Sequence, residues 1–369
     1  MLLIKSSKET LYAPLQSVCG IVERKHTLPI LSNVLLDRQG DTLSFLATDI
    51  EIEIQTSTSV AENEGSNMSL TVGARKLQDI LRSLPEEATV SLEASEKRAQ
   101  LKAGKSRFSL QTLPVEDFPR ITSNQKKRGE LSMTQRDLHD LLTNTQYAMA
   151  MQDVRYYLNG LLLVMEENQL IAVATDSHRL ACHHKAVAYD KERLEFILPR
   201  KTVLELSRLL MDNDDQVKIT LYESQAGFEF GKISLLSKLI DGKFPDYGRV
   251  IPESLSVHIS LQRLVLLDAL NRVAILTNEK YRGVRILISD NLMKINALNA
   301  DQEEAEEELE IEYSGDPIDI GFNINYLLDV LNHLSDEVVT WSFNDSNSST
   351  LFSVPGNTTF KYIVMPMRI

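Results

Sequence analysis

Cysteine is nearly missing from this chain: 369 residues hold two, Cys19 and Cys182. They read as reduced cytoplasmic thiols in or near a core, not as a disulfide or redox pair. Long apolar runs are missing as well. None approaches the roughly 18 residues that suggest a membrane span. Met1-Leu-Leu-Ile passes at once into Lys5-Ser-Ser-Lys-Glu, so no secretory leader is expected. Positive charge is in deficit, with 39 Lys and Arg against 52 Asp and Glu and a net −13. Taken alone, that balance argues against nucleic acid as a partner. What remains, 43% hydrophobic and 25% charged residues, is the composition of a soluble globular protein long enough for two or three domains.

Catalytic constellations are the next absence. Gly104-Lys105-Ser106 ends like a phosphate loop, but Ala99 stands where that loop needs glycine, and a strand follows instead of a helix. Asp176, Ser177 and His178 are consecutive, whereas a triad needs groups converging from separate loops. Cys182-His183-His184 has no second ligand pair at metal spacing. The acidic run from Glu303 to Glu312 could hold two metals, and reads more simply as a solvated loop leading into a strand. Asp212-Asn-Asp-Asp reads as a surface turn. The apolar end Tyr362-Ile-Val-Met-Pro-Met-Arg-Ile is different: Met365 and Met367 are soft groups suited to surfaces that accept several partners.

What is present is one unit written three times. A hairpin pattern over 155–180, two apolar runs flanking Glu166-Glu167-Asn168, recurs about 127 residues earlier over 28–50 and about 126 later over 281–299. Amphipathic helices are expected over 10–22, 137–149 and 261–276. A strand running into a helix recurs from Leu70, Ile197 and Ile320. Closing strands recur over 104–119, 231–245 and 356–369. Within these, Ser109-Leu-Gln-Thr-Leu-Pro-Val-Glu-Asp-Phe-Pro parallels Ser237-Lys-Leu-Ile-Asp-Gly-Lys-Phe-Pro. Five blocks in one order imply three equivalent α+β domains, 1–124, 130–250 and 251–369. Each has two helices and about eight strands, with helices on one side of antiparallel sheet.

The charge is segregated. The six expected helices sum to +4, which leaves −17 for everything else. A mildly basic helix layer could face phosphates without reading bases; equally, the helices could simply carry solvated Lys and Arg.

Several motifs then resemble the β sliding clamp family of bacterial DNA polymerase III. They are Thr-Leu-Pro-Ile-Leu at 27–31, Gln-Asp-Val-Arg-Tyr-Tyr-Leu-Asn-Gly at 152–160 and Ala-Thr-Asp-Ser-His-Arg-Leu at 174–180. Phe-Pro-Asp-Tyr at 244–247, Asn-Glu-Lys-Tyr-Arg-Gly-Val-Arg at 278–285 and Met-Pro-Met-Arg at 365–368 complete the set. The resemblance covers the whole chain. It implies a head-to-tail homodimer, a ring of six like domains whose helices line a hole for duplex DNA, and a non-catalytic processivity factor without a cofactor. Closing the ring would pair a sheet edge carrying Lys105, Arg107, Phe108 and Leu110 with one near Ile275 and Leu276, where Glu304, Glu306 and Glu307 would face the basic side chains.

The resemblance also implies a partner-peptide groove between the second and third domains. It would be formed by Arg155, Tyr157, Leu158, Thr175, Ser177, His178, Arg179, Leu180, Pro245, Arg249, Val250, Tyr326, Ser349, Ile363, Met365, Pro366, Met367 and Arg368. Ser177 stands where glycine is common in the family, and Asn347 where an apolar residue is common. Implied DNA contacts are Arg75, Gln152, Tyr156, Tyr157 and one of Arg24 and Lys25. Implied partners are duplex DNA, the polymerase α subunit, an ATP-driven clamp loader, and other polymerases and repair proteins carrying a clamp-binding peptide. Two readings of other classes compete: a nuclease using the acidic run, and a monomeric peptide-binding scaffold without DNA.

Overall fold

The computed structural model describes residues 1–23, 27–61, 65–95, 97–121 and 125–368. The recurrence in sequence becomes a recurrence of elements. The first passage runs β1 (Leu2–Ser7), α1 (Lys8–Val18), β2 (Asn33–Gln39), β3 (Thr42–Thr48), β4 (Ile52–Ser59), β5 (Met68–Gly73), α2 (Ala74–Ser83), β6 (Thr89–Ser95), β7 (Arg98–Ala103) and β8 (Ser106–Gln111). The second runs β9 (Lys127–Thr134), α3 (Gln135–Thr143), β10 (Gly160–Glu166), β11 (Gln169–Thr175), β12 (Arg179–Ala186), β13 (Leu194–Pro199), α4 (Arg200–Leu209), β14 (Gln216–Tyr222), β15 (Gln225–Phe230) and β16 (Ile233–Lys238). The third runs β17 (Val257–Gln262), α5 (Arg263–Ala274), β18 (Gly283–Ser289), β19 (Leu292–Leu298), β20 (Glu304–Glu310), β21 (Ile318–Asn323), α6 (Ile324–His333), β22 (Val338–Phe343), β23 (Thr350–Val354) and β24 (Asn357–Val364).

Local chemistry explains the elements. Ser7 caps α1 by accepting the Thr10 N–H at 3.3 Å, and Asn323 caps α6 by accepting that of Asn325 at 3.0 Å. On α2, Ala74, Leu77 and Leu81 are buried at helical spacing. The hairpins turn on Gly40-Asp41, Glu167-Asn168 and Asp290-Asn291. The last two pairs have positive φ at both residues, as a two-residue turn matching strand twist requires.

Two expectations need correction. The hairpin strands begin later than the apolar runs do, because Pro29–Ser32 and Tyr156–Asn159 are single 3-10 turns. Pro29 has no N–H to give a ladder, and Leu158 donates its N–H back to the Arg155 carbonyl at 2.8 Å. The acidic run is not a loop: Glu304–Glu310 is strand β20. Four of its five glutamates lie on one face and Glu307 on the other, and several are partnered. Arg272 holds Glu307 at 2.6 and 2.7 Å, and Lys294 pairs with Glu308.

Packing divides the chain differently from recurrence. One compact unit is Met1–Leu138 with Leu204–Leu239; the other is His139–Val203 with Ile240–Ile369. The first unit holds a four-stranded sheet, β1-β6-β7-β8, and an eight-stranded sheet, β5-β2-β3-β4-β16-β15-β14-β9. The second holds an eight-stranded sheet, β13-β10-β11-β12-β24-β23-β22-β17, and a four-stranded one, β20-β19-β18-β21. All pairings between these strands are antiparallel. Each eight-stranded sheet therefore contains a seam joining two passages. At β4–β16, Ile54 faces Leu235; at β12–β24, Ala181 faces Tyr362. Among the described residues no helix is long and apolar enough to cross a membrane.

Candidate functional site

Within the second unit, the β12–β24 seam carries the residues that the family resemblance singles out. Leu158, Leu180 and Ile363 are buried in one apolar cluster with Leu162, Val164, Val173, Ile197 and Phe244. Tyr157 and Val250 pack against that cluster and remain partly exposed, as floor residues of a groove must. Met365, at the edge, donates its N–H to the His178 carbonyl at 2.8 Å, so the C-terminal segment is tied to the β11–β12 turn. That fixes the apolar end flagged by the sequence.

The turn is built by its own side chains. Thr175 Oγ1 donates to the Arg179 carbonyl at 2.6 Å and accepts the Ser177 N–H at 3.1 Å. Asp176 accepts the N–H groups of His178 and Arg179 at 2.9 and 3.1 Å. Ser177 has φ of 78°, which explains why glycine suits this position better.

Arg179 is the anchor. Its side chain is 9% exposed and donates to Asp176 at 3.0 Å, to Asp329 on α6 at 2.5 Å and to the Tyr147 carbonyl at 2.6 Å. Its guanidinium lies 4.5 Å from the Tyr326 ring centre. Burial works against its charge; the Asp329 and Asp176 carboxylates outweigh burial and hold it above the usual arginine range. The Tyr362 hydroxyl donates to the Tyr326 carbonyl at 2.9 Å, which locks Tyr326 beside the seam. Sequence reasoning missed Tyr147, Asp329, Tyr362 and Phe244. The signals were visible: Asp329 is the lone acid on a hydrophobic helix, Phe244 opens a family motif and Tyr362 opens the apolar end.

The other expected groove residues sit around this core. Arg155 is exposed and clamped to Asp153 at 2.9 Å, and Arg249 is held by Asp246 at 2.9 Å. His178, Pro245 and Arg368 are exposed, while Ser349 and Pro366 are half-buried. Asn347 lies exposed in a turn capped by Asp345. Met367 and Arg368 also line a second cleft, on the third passage.

Of the expected DNA contacts, Arg24 and Lys25 lie outside the described residues. Arg75 is half-buried and donates to the Val22 carbonyl at 3.1 and 3.2 Å. Gln152 and Tyr156 are exposed. Of the expected interface residues, Lys105 and Arg107 are exposed, Phe108 is half-buried and Leu110 is 9% exposed. Ile275 is 78% exposed and Leu276 half-buried. Alternation along β20 puts Glu304 and Glu306 on one face and Glu307 on the other, with Arg272. Both cysteines are buried thiols, and burial pushes Cys19 up to about 12 and Cys182 up to about 11.

A threefold α+β chain with a partly exposed apolar cluster at one seam has the makings of a scaffold that holds other molecules in place. Family models narrow this class. The N-terminal, central and C-terminal domains of the DNA polymerase III beta subunit match residues 2–122, 132–246 and 248–368. The chain is 46% identical over 365 residues to the beta sliding clamp of Pseudomonas putida, with 98% of each chain covered. It is 42% identical over 362 residues to that of Escherichia coli, again with 98% of each covered. A crystal structure of the DNA polymerase sliding clamp of Pseudomonas aeruginosa with ligand superposes with a TM-score of 0.94 at 44% identity, covering 100% of both chains. The chain belongs to the β sliding clamp family, the β subunits of DNA polymerase III. It is a non-catalytic processivity factor that encircles DNA and tethers its partners.

Proposed function

We propose that two copies close head to tail by pairing β8 of each with β20 of the other, and that the β12–β24 groove takes the partners' docking peptides. The carrying observation is the repeat of one register. Aligned on the hairpin turns and ladders, β4 and β12 correspond to β20, and β16 and β24 correspond to β8. Ile54↔Leu235 and Ala181↔Tyr362 are then the same pair at two seams. Carried to the unpaired edges, that register sets Phe108 opposite Ala305, Arg107 opposite Glu306 and Ser109 opposite Glu304. An edge pairing satisfies two open rows of backbone groups, and the cross-strand charges are opposite in sign. Ile275 and Leu276 are apolar groups for the same interface.

The groove offers an apolar floor with a polar rim, which suits a short extended peptide with hydrophobic anchors. Polymerase α subunit, clamp loader and other clamp-binding proteins would share it in turn. Arg75, Gln152, Tyr156 and Tyr157 would touch the DNA backbone, giving salt-sensitive contacts of low sequence preference.

Cross-linking tests the register. The variant Ser109→Cys with Glu304→Cys should oxidise to a covalent dimer. Ser109→Cys with Glu306→Cys, two residues out of step, should not. The reverse yields would refute this closure.

A further inference from the structure

The three passages differ in what covers the outer face of their hairpins. Five residues before each turn lies a cross-strand pair on that face: Leu35↔Leu46, Leu162↔Val173 and Arg285↔Asn296. In the first passage Phe118 packs on Leu35 and Leu46; in the second Phe244 clusters with Leu162 and Val173. Both phenylalanines are 6% exposed. They come from the paired Asp-Phe-Pro and Lys-Phe-Pro stretches, which approach their sheets alike: Leu113 bonds Thr71, and Ile240 donates to Ile197 at 3.0 Å.

The third passage begins the same way. Met367 donates to Gly321 at 2.8 Å, the matching position. Beyond it, among the described residues, the face is open. A cleft of 660 Å³ lies over Arg285, Asn296, Leu298 and Glu304, walled by Tyr281 and Met367; Glu304, at its edge, is also a partner contact in the closure proposed above. Tyr281 and Leu298 are each 57% exposed. The floor is also no seat for an internal phenylalanine, since Arg285, ion-paired with Asp319, and Asn296 replace the apolar pair. Asn296 donates to Glu306 at 3.2 Å, but its Oδ1 is buried with no hydrogen-bond partner among the described residues. A buried orphan acceptor asks for a donor.

We propose that this cleft is a second docking surface, filled by the extended stretch of a groove-bound protein that flanks its docked motif. The stretch would give an N–H to Asn296 Oδ1 and lay an apolar or aromatic side chain against Tyr281, Leu298 and Met367. A polypeptide is the occupant because the chain's own polypeptide, through Phe118 and Phe244, covers the same face in both sister passages. It is a groove partner because Met367, expected in the groove, forms a wall of the cleft. The inference rests on the groove reading above.

The test is calorimetric titration of the intact dimer with two probes: the whole polymerase α subunit of the same source, and a short synthetic peptide of its groove-binding segment. Leu298→Glu and, further from the sheet edge, Tyr281→Ala should each weaken the whole subunit about tenfold and leave the peptide unchanged. Unchanged affinity for both probes would overturn the inference and spare the groove. Equal weakening of both would overturn it too, by placing the effect in the groove. If neither probe binds the unaltered dimer, the groove reading fails and takes this one with it.

Discussion

The loops at 48–52 and 175–179 are the same object built twice. Thr48 Oγ1 donates to the Ile52 carbonyl at 2.9 Å and accepts the Ile50 N–H at 3.0 Å, as Thr175 does for Arg179 and Ser177. Asp49 caps residues 51 and 52 as Asp176 caps 178 and 179. Ile50 and Ser177 both have positive φ, at 70° and 78°. Each loop opens a strand that crosses a seam. They differ in what stands at the last position: Ile52 is 1% exposed in an apolar core, whereas Arg179 gathers Asp329, Tyr147 and Tyr326 around the groove. The geometry belongs to the repeated fold, and one buried cation makes one copy an anchor of the seam where the groove is proposed.

Substitutions can separate these roles. Arg179→Ala should cost about 3–5 kcal/mol by leaving Asp176 and Asp329 unpaired, and should abolish peptide binding in calorimetry. Ile52→Ala should cost about 2–4 kcal/mol through a cavity and leave peptide affinity unchanged. If Ile52→Ala weakens the peptide equally, the division of labour is wrong. Thr48→Val and Thr175→Val remove matching hydrogen bonds and should lose similar amounts, about 1 kcal/mol each, in denaturant melts.

Acid should find the second seam first. Burial pushes the Asp140 carboxyl up, but His183 at 3.0 Å and Lys185 at 2.6 Å outweigh it and hold it at about 2. A carboxylate held below its unfolded value stabilises above that value, and loses the contribution as pH falls from about 4 to about 2. With Asp140 39% exposed, the amount is about 1 kcal/mol after solvent screening. Asp140→Asn should flatten that part of the pH–stability curve. The corresponding residues at the first seam, Ala13, Thr56 and Thr58, are uncharged. Smallest of all, Ser177→Gly should stabilise by up to about 1 kcal/mol, by releasing a positive φ.

The threefold order was legible because alternating apolar residues and turn signals recur at one spacing. The family motifs named the residues proposed for the groove. The seams were not legible, since no local pattern says that Ala181 lies beside Tyr362. Nor was the anchoring of Arg179, whose partner Asp329 is 150 residues away in sequence. The acidic run misled because seven residues with five glutamates look solvated; its strand character depends on Arg272 and Lys294 reaching it from other elements.

Encirclement is the central claim, and retention on DNA after loading tests it most directly. With a matched loader complex, at moderately high salt, the protein should stay on circular duplex DNA and run off once the circle is cut. Equal retention on circular and linear DNA, or none on either, would contradict a closed ring.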